Sequence, residues 1–255
     1  MKLRIKLARF FLRFGKFIQS LPVVVMKPDD IVEFSRQTYE GWVKYWSKDD
    51  LVDSGLNQDE LDLLQHLPIK EGHLLLLGLG GGREAIPLLK TGFQVTGVDF
   101  VSELVEKAKE NVNTRGFELD VLVQDFSRLN VEAGFYDVVW LSNSMYSCIP
   151  TRKRRIEMLR RVKNALKPGG YFLCQFFLDS SIASSKKGVF LRRLIAFFSF
   201  GNREYEAGDF LWQNIEFLHA FSNVDIVRSE LEESGFQVMH ISKGKELHNG
   251  VALCQ

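Results

Sequence analysis

Three glycines and two aspartates stand where binding of a nucleotide-like ligand would need them. Gly78, Gly80 and Gly82 follow a run of four leucines, and Asp99 ends the next apolar segment. Glycine serves where the backbone takes φ > 0 and where a ligand comes too close for a Cβ. The carboxylate of Asp99 can accept two hydrogen bonds from a ribose diol. Asp125 follows a third apolar segment and can accept a hydrogen bond from an exocyclic amine.

Strands that alternate with helices are predicted around these residues. The predicted strands cover residues 74–77, 93–98, 119–123, 135–141 and 171–177, and the predicted helices 101–115 and 151–166. A further helical segment starts near Arg83, with its N-terminus towards the ligand. Because parallel strands end at one edge of a sheet, Asp99 and Asp125 should meet there. Phe100 and Phe126 directly follow these acids and are expected to enclose a base.

Two regions depart from this alternation. Residues 1–70 predict a helical extension or lid, and residues 71–255 a core that an insertion interrupts at about 179–223. The insertion opens with a loop-like stretch, SSIASSKKG, before an apolar stretch. A helix over 224–233 and an antiparallel hairpin of 236–242 and 251–255 close the chain. We expect an α/β fold with a doubly wound, seven-stranded, mostly parallel sheet, a helical N-terminal cap and an insertion after the fifth strand.

An aromatic cluster in the extension consists of Tyr39, Trp42, Tyr45 and Trp46. Spacings of three and four predict that Tyr39, Trp42 and Trp46 share one face of a helix, with Tyr45 close by. The rings form either a packing face or a lid over a ligand at the sheet edge.

The first 20 residues predict a basic amphipathic helix. They contain six Lys or Arg and no acidic residue. Helical spacing separates an apolar stripe from a basic one. The two stripes are Leu3, Leu7, Phe10, Phe14 and Phe17, and Lys2, Lys6, Arg9, Arg13 and Lys16. Such a helix either lies on an anionic membrane surface or packs on its own domain or a second subunit.

Composition is that of an ordinary globular protein. Of the 255 residues, 45% are hydrophobic and 25% charged, which excludes a disordered or collagen-like chain. The formal net charge of +1 does not indicate a nucleic-acid partner, and none is expected. Cys148, Cys174 and Cys254 are far apart and predict free thiols in a reducing compartment. Without an evident secretory signal, we expect a cytoplasmic protein, with peripheral membrane contact through residues 1–20 as an option.

Several motifs together resemble the class I S-adenosylmethionine-dependent methyltransferases. They are LLLLGLGGG, VTGVD, QDF, FYDVVWLSNS, LKPGGYFL and SELEESGFQV, in this order along the chain. The resemblance covers about 70–255 apart from the insertion, and it implies S-adenosylmethionine as the cofactor. The cofactor-binding residues that it implies are Gly78, Gly80, Gly82, Asp99, Phe100, Asp125, Phe126, Ser142 and Asn143.

The resemblance also implies a role for each of these residues. The glycines would border the methionine part, Asp99 would bind ribose, and Asp125 would contact the adenine amine between the two phenylalanines. Ser142 and Asn143 would lie near the sulfonium. One departure stands out, because Leu76 occupies the position of an acid that helps hold the amino-acid end of the cofactor. Arg83, Glu84 or an N-terminal residue is expected to compensate.

The acceptor is expected to be small and partly apolar, or lipid-like or quinone-like if residues 1–20 bind a membrane. Without an NPPY-like motif or a Pro-Cys pair after the fourth strand, methylation of DNA adenine, glutamine amides or cytosine C5 is disfavoured. His219 and Tyr146 are the candidate catalytic residues, each with a structural role as the alternative, and no metal is expected. The alternatives to an enzyme of this class are a cofactor-binding regulatory or assembly protein and, on Gly80, Gly82 and Ala85 with Asp99, an NAD(P)-dependent oxidoreductase.

Overall fold

The computed structural model describes residues 2–182 and 186–255. The side chains of Lys2, Leu3, Arg13 and Lys16, four members of the predicted stripes of residues 1–20, lie outside this description. Residues 183–185, which belong to the predicted loop SSIASSKKG, also lie outside it.

Nine strands form one large sheet and one small hairpin. They are β1 Gly72–Leu77, β2 Phe93–Asp99, β3 Asp120–Val123, β4 Tyr136–Leu141, β5 Leu166–Phe177, β6 Asp209–Trp212, β7 Glu216–His219, β8 Val238–Lys243 and β9 Asn249–Cys254. The large sheet has seven strands in the order β3-β2-β1-β4-β5-β9-β8, while β6 pairs with β7. Strands β1 to β5 run parallel, and β9 is antiparallel to both β5 and β8. The expected doubly wound, mostly parallel sheet with a C-terminal antiparallel hairpin is thus confirmed.

Ten helices accompany the strands in the described part of the chain. They are α1 Lys2–Val25, α2 Pro28–Gly41, α3 Val43–Trp46, α4 Asp49–Val52, α5 Gln58–His66, α6 Ala85–Thr91, α7 Ser102–Thr114, α8 Arg152–Ala165, α9 Lys186–Phe198 and α10 Val224–Glu233. Within the described residues, none of these helices has the length and apolar character needed to cross a membrane.

The four leucines of β1 face two different cores. Leu75 and Leu77 pack with residues of α8 and α10, whereas Leu74 and Leu76 pack with residues of α5, α6 and α7. This division follows from the pleat of a strand, which sends successive side chains to opposite faces. A continuous apolar run is what a strand covered on both faces requires.

Strand β5 begins five residues before the predicted Tyr171. Leu166 pairs with Tyr136, and the register then shifts before Tyr171 pairs with Val138. Gly169 has φ of 81°, so the KPGG turn forms an irregularity within the pairing and does not end it.

The insertion packs on the N-terminal extension. Val23, Val24 and Ile31 form a separate core cluster with Ala196 and Phe217 of the insertion, which also includes Tyr205. The hairpin of β6 and β7 was not predicted from the sequence. Helix α9 begins at Lys186, so the last three residues of the predicted loop are helical. The two regions that depart from the βα alternation therefore build one structure together.

A buried arginine connects this structure to the core. The Arg155 guanidinium donates to both carboxylate oxygens of Glu230 at 2.8 and 2.9 Å and to Glu206 of the insertion at 3.0 Å. The side chains of Arg155 and Glu230 are both fully buried. Charges removed from water are tolerated because they are paired and hydrogen-bonded to each other.

We expect Arg155→Met to lower the free energy of unfolding by about 3–5 kcal/mol, because it removes the buried guanidinium that donates to both oxygens of the Glu230 carboxylate. The measurement is urea unfolding at neutral pH, followed by circular dichroism. Lys153→Met, at an exposed position of the same helix, is the matched control and should change the value by less than about 0.5 kcal/mol. Equal effects of the two substitutions would contradict a structural role for the buried pair.

Candidate functional site

The glycine turn after β1 opens towards a cleft at the carboxyl edge of the sheet. Gly78 and Gly80 have φ of 82° and 53° and line the cleft. A Cβ on Gly80 would have no atom within 4 Å, so this position leaves free space above the backbone. Gly82 departs from its predicted place beside the ligand. It does not line the cleft and lies against Ala108 and Val112 of α7.

Asp99 is buried beside this turn, at the end of β2. One carboxylate oxygen accepts from the Gly80 N–H at 2.9 Å, and the other accepts from the Val101 N–H at 3.1 Å. Burial raises the pKa of Asp99 above its usual value, while these backbone donors oppose the rise. Each oxygen retains a further lone pair for a ligand hydroxyl.

The cleft encloses about 1060 Å³ of space, part of it open to solvent. Of the predicted cofactor-binding residues, all but Gly82 line it. These residues are Gly78, Gly80, Asp99, Phe100, Asp125, Phe126, Ser142 and Asn143. The carboxyl ends of β1, β2, β3 and β4 bring them together, as expected for a parallel sheet.

One part of the wall carries a buried hydroxyl without a partner. The Asp125 carboxylate accepts from the Ser127 N–H at 2.8 Å, which fixes the short turn after β3. Among the described residues, the Ser127 Oγ has no hydrogen-bond partner although it is buried. A buried hydroxyl of this kind costs free energy unless a ligand or a water molecule forms a hydrogen bond with it. Ser127 was not predicted from the sequence, where it is an ordinary loop serine.

A charged cluster borders the turn on the other side. The Arg83 guanidinium donates to both oxygens of Glu60 at 2.7 and 2.8 Å and to Glu84 at 2.5 Å. The Ser142 hydroxyl also donates to Glu84. Burial raises the pKa of Glu84 above its usual value, and Arg83 opposes that rise. When both Glu60 and Glu84 are ionised, the single guanidinium of Arg83 balances only one of them, so the cluster has a net negative charge.

Leu76 does not reach this cluster. Its side chain is fully buried in the core cluster that contains Leu79 and Trp140. The position of the expected acid therefore serves packing in this chain, and Glu84, two residues after Gly82, supplies a further buried carboxylate to the cleft wall. Helix α6 begins only at Ala85 and has seven residues, so it starts later than predicted and is too short to orient a ligand by its dipole.

The aromatic cluster divides between cleft and solvent. Tyr39 and Trp46 line the cleft, and the Tyr39 ring lies 6.1 Å from that of Phe100. Trp42 and Tyr45 are 43% and 44% exposed and lie off the cleft wall, contrary to their predicted place in a lid. The cause is a break in the helix, because α2 ends at Gly41 and α3 begins at Val43.

Glu216 is a cleft residue that sequence reasoning missed. It begins β7, in the insertion, and its carboxylate accepts from the Tyr39 hydroxyl. Burial raises the pKa of Glu216 above its usual value, while the Tyr39 hydroxyl opposes that rise. Cys148 lines the same wall, where burial raises the pKa of its thiol well above the ordinary value. A lone acid in the apolar stretch IEFLH was the available signal for Glu216.

The two predicted catalytic residues lie elsewhere. The Tyr146 hydroxyl is buried and donates to Glu230 at 2.5 Å, within the Arg155 network. The His219 Nδ1 lies 2.7 Å from the Asp209 carboxylate, and its ring packs against Phe221. Neither residue lines the cleft. Their catalytic roles therefore stay predictions, whereas Glu216, three residues before His219, does line the cleft.

Comparison with known proteins identifies a methyltransferase domain within the chain. Residues 74–170 match the model of a methyltransferase domain. The ubiquinone biosynthesis O-methyltransferase of Coxiella burnetii is 29% identical over 109 residues, 42% of this chain and 44% of that protein. The glycine/sarcosine N-methyltransferase of Halorhodospira halochloris is 28% identical over 151 residues, 58% of this chain and 56% of that protein. The chain thus spans about half the length of the curated relatives it matches.

Solved structures share the fold. The 1,6-didemethyltoxoflavin-N1-methyltransferase of Burkholderia thailandensis, crystallised with its substrate and S-adenosylhomocysteine, has a TM-score of 0.64 at 16% identity, with 89% of each chain covered. A S-adenosylmethionine-dependent methyltransferase of Methanosarcina mazei has a TM-score of 0.60 at 18% identity, covering 79% of this chain and 98% of its own. Residues 74–170 therefore match a methyltransferase domain, and the sheet order and these structures show that the chain has the fold of class I S-adenosylmethionine-dependent methyltransferases.

Proposed function

We propose that this chain transfers a methyl group from S-adenosylmethionine to a small, partly apolar acceptor. The observation that carries the proposal is one cleft in which Asp99 and the open glycine turn adjoin an aromatic wall with a half-buried carboxylate, Glu216. The first part suits the nucleoside of the cofactor, and the second suits an acceptor with a proton to lose.

The residues of the turn fit the nucleoside. The space above Gly80 admits a ligand close to the backbone, and Asp99 offers its remaining lone pairs to a ribose diol. Phe100 and Phe126 lie in the wall where a base would pack. The unpartnered Oγ of Ser127, within the described residues, is a further polar group that a bound nucleoside can complete.

The cluster of Glu60, Arg83 and Glu84 fits the amino-acid end of the cofactor. Its excess negative charge attracts an ammonium group, and Glu84 lines the cleft. A charged ligand group that completes a buried cluster binds strongly because little water competes with it. We infer that Glu84 takes over the role of the acid that the family resemblance led us to expect at the position of Leu76.

The acceptor end has an apolar wall with one ionisable carboxylate. Val32, Leu51, Ile149 and Trp46 contribute apolar surface, and Tyr39 holds Glu216 in place. Bound S-adenosylmethionine supplies an activated methyl group, so the protein has to align the acceptor, exclude water and remove a proton. Glu216 is suited to accept that proton from a hydroxyl or amine. The two curated relatives named above methylate oxygen and nitrogen, which agrees with either acceptor type.

Asp99→Ala should weaken the binding of S-adenosylhomocysteine by roughly 10- to 100-fold, because a hydrogen bond to a charged group contributes about 1.5–3 kcal/mol. Isothermal titration calorimetry measures this. Asp120→Ala, at an exposed position of β3, is the control and should leave affinity unchanged. Wild-type affinity of a folded Asp99→Ala protein would count against ribose binding at this position.

Glu84→Gln should weaken the binding of S-adenosylhomocysteine by about tenfold or more, since it removes a charge that faces the ligand ammonium. The same variant should bind methylthioadenosine, which lacks the amino-acid end, as tightly as the wild type does. Asp99→Ala, by contrast, should weaken both ligands. If Glu84→Gln lowers both affinities equally, the carboxylate acts on the fold of the turn and not on the ammonium.

Glu216→Gln should lower methyl transfer roughly a hundredfold or more and leave cofactor affinity intact, because general-base catalysis contributes about 10²–10⁴ in rate. A base works only when ionised. Since burial raises the pKa of Glu216, wild-type turnover should be full above that raised pKa and be lost as the pH falls through it. The residual turnover of Glu216→Gln should not show this loss at low pH.

The measurement uses radiolabelled cofactor with a panel of phenols, catechols and primary or secondary amines. Glu204→Gln, at an exposed position of the insertion, is the matched control. Cofactor binding without turnover on any of these acceptors would favour a regulatory or assembly protein, and an unchanged pH profile in Glu216→Gln would exclude this base.

A further inference from the structure

Two helices expose an unusual amount of aromatic surface. Phe10, Phe11 and Phe14 of α1 are 59%, 59% and 51% exposed, and Phe190, Phe197 and Phe198 of α9 are 68%, 53% and 72% exposed. We call these six phenylalanines the α1–α9 surface. Every residue from Arg4 to Leu12 is exposed, so this part of α1 lacks a packing partner among the described residues. Exposed apolar groups in such number indicate an interaction surface.

The exposed parts of α1 and α9 adjoin a buried contact between the two helices. Val23 and Val24 of α1 are fully buried in the same cluster as Ala196 of α9. Between them, the Arg192 Nε donates to the Ser20 Oγ at 2.7 Å, and its guanidinium lies 5.1 Å from the Phe17 ring centroid. The two helices are therefore held against each other; Phe197 and Phe198 directly follow this contact in α9, and Phe10, Phe11 and Phe14 precede it in α1.

The charged residues of both helices are all basic. Helix α1 contains six Lys or Arg and α9 four, and neither contains an acidic residue. Two copies of this surface would repel each other, which opposes self-association through it. A surface with phosphate groups and apolar chains matches both its charge and its phenylalanines.

We propose that the α1–α9 surface docks the protein on an anionic lipid bilayer. The phenylalanines enter the boundary between headgroups and acyl chains, and the exposed basic residues Arg4, Lys6, Arg9, Lys186 and Lys187 contact lipid phosphates. The proposal is independent of methyl transfer, since it needs neither cofactor nor acceptor. It assigns a role to the insertion helix α9, which sequence patterning left as a loop followed by an apolar stretch.

The test is flotation of the full chain with vesicles of phosphatidylcholine, alone or mixed with phosphatidylglycerol. We expect binding to the mixed vesicles only, weakening as salt rises. Phe197→Ser with Phe198→Ser should weaken it about tenfold or more. So should Arg4→Glu with Arg9→Glu, because each basic residue near an anionic surface contributes roughly fivefold.

Matched controls use exposed residues elsewhere. Leu247→Ser, at 85% exposure, controls for lost apolar surface, and Lys109→Glu with Lys153→Glu controls for lost charge. Thermal unfolding checks that each variant is folded. Absence of the full chain from both vesicle types would overturn the proposal, as would equal binding of variants and controls. Light scattering that shows a dimer lost in Phe197→Ser with Phe198→Ser, without vesicle binding, would assign the surface to a second copy instead.

Discussion

The site depends on backbone hydrogen bonds that hold neighbouring turns at one edge of the sheet. The Gly78 N–H donates to the Val98 carbonyl, the Ser142 N–H to the Leu77 carbonyl, and the Gln124 N–H to the Asp99 carbonyl, each at 2.9 Å. These bonds continue the parallel register past the last strand residues. Chemistry-bearing side chains from distant parts of the sequence thereby meet within one cleft. The surrounding helices add to this edge and do not create it.

Local chemistry made the core predictable. Four consecutive leucines can only be buried on both faces, and the glycines and Asp99 that follow identify the turn where a ligand lies. The sheet order and the closing hairpin agree with what these patterns predict, and Asp99 and Asp125 meet at one edge of the sheet as expected. Helix α6 started later than predicted because Gly80, Gly81 and Gly82 extend the turn before regular helix can form.

The rest depended on contacts between remote segments. Glu216 becomes a cleft residue only because the insertion folds onto the extension and brings β7 against α2. Helical periodicity predicted one face shared by Tyr39, Trp42 and Trp46, but it cannot detect the break at Gly41 that reorients the next turn. Tyr146 follows β4, where an acceptor-binding residue would be expected. Its hydroxyl instead donates to Glu230, which is paired with Arg155 in a buried network. No single-segment pattern encodes these pairings.

Each of the three consecutive glycines at 80–82 has different surroundings, which determines how the motif can vary. Gly80 faces open space and Gly82 faces α7, whereas a Cβ on Gly81 would lie 2.2 Å from the Trp46 carbonyl oxygen. The extension by itself therefore requires glycine at position 81, which also lines the cleft. Homologous chains that lack this extension are free to carry alanine at the equivalent position. Covariation between that residue and the N-terminal segment would trace which members of the family close their cleft in this way.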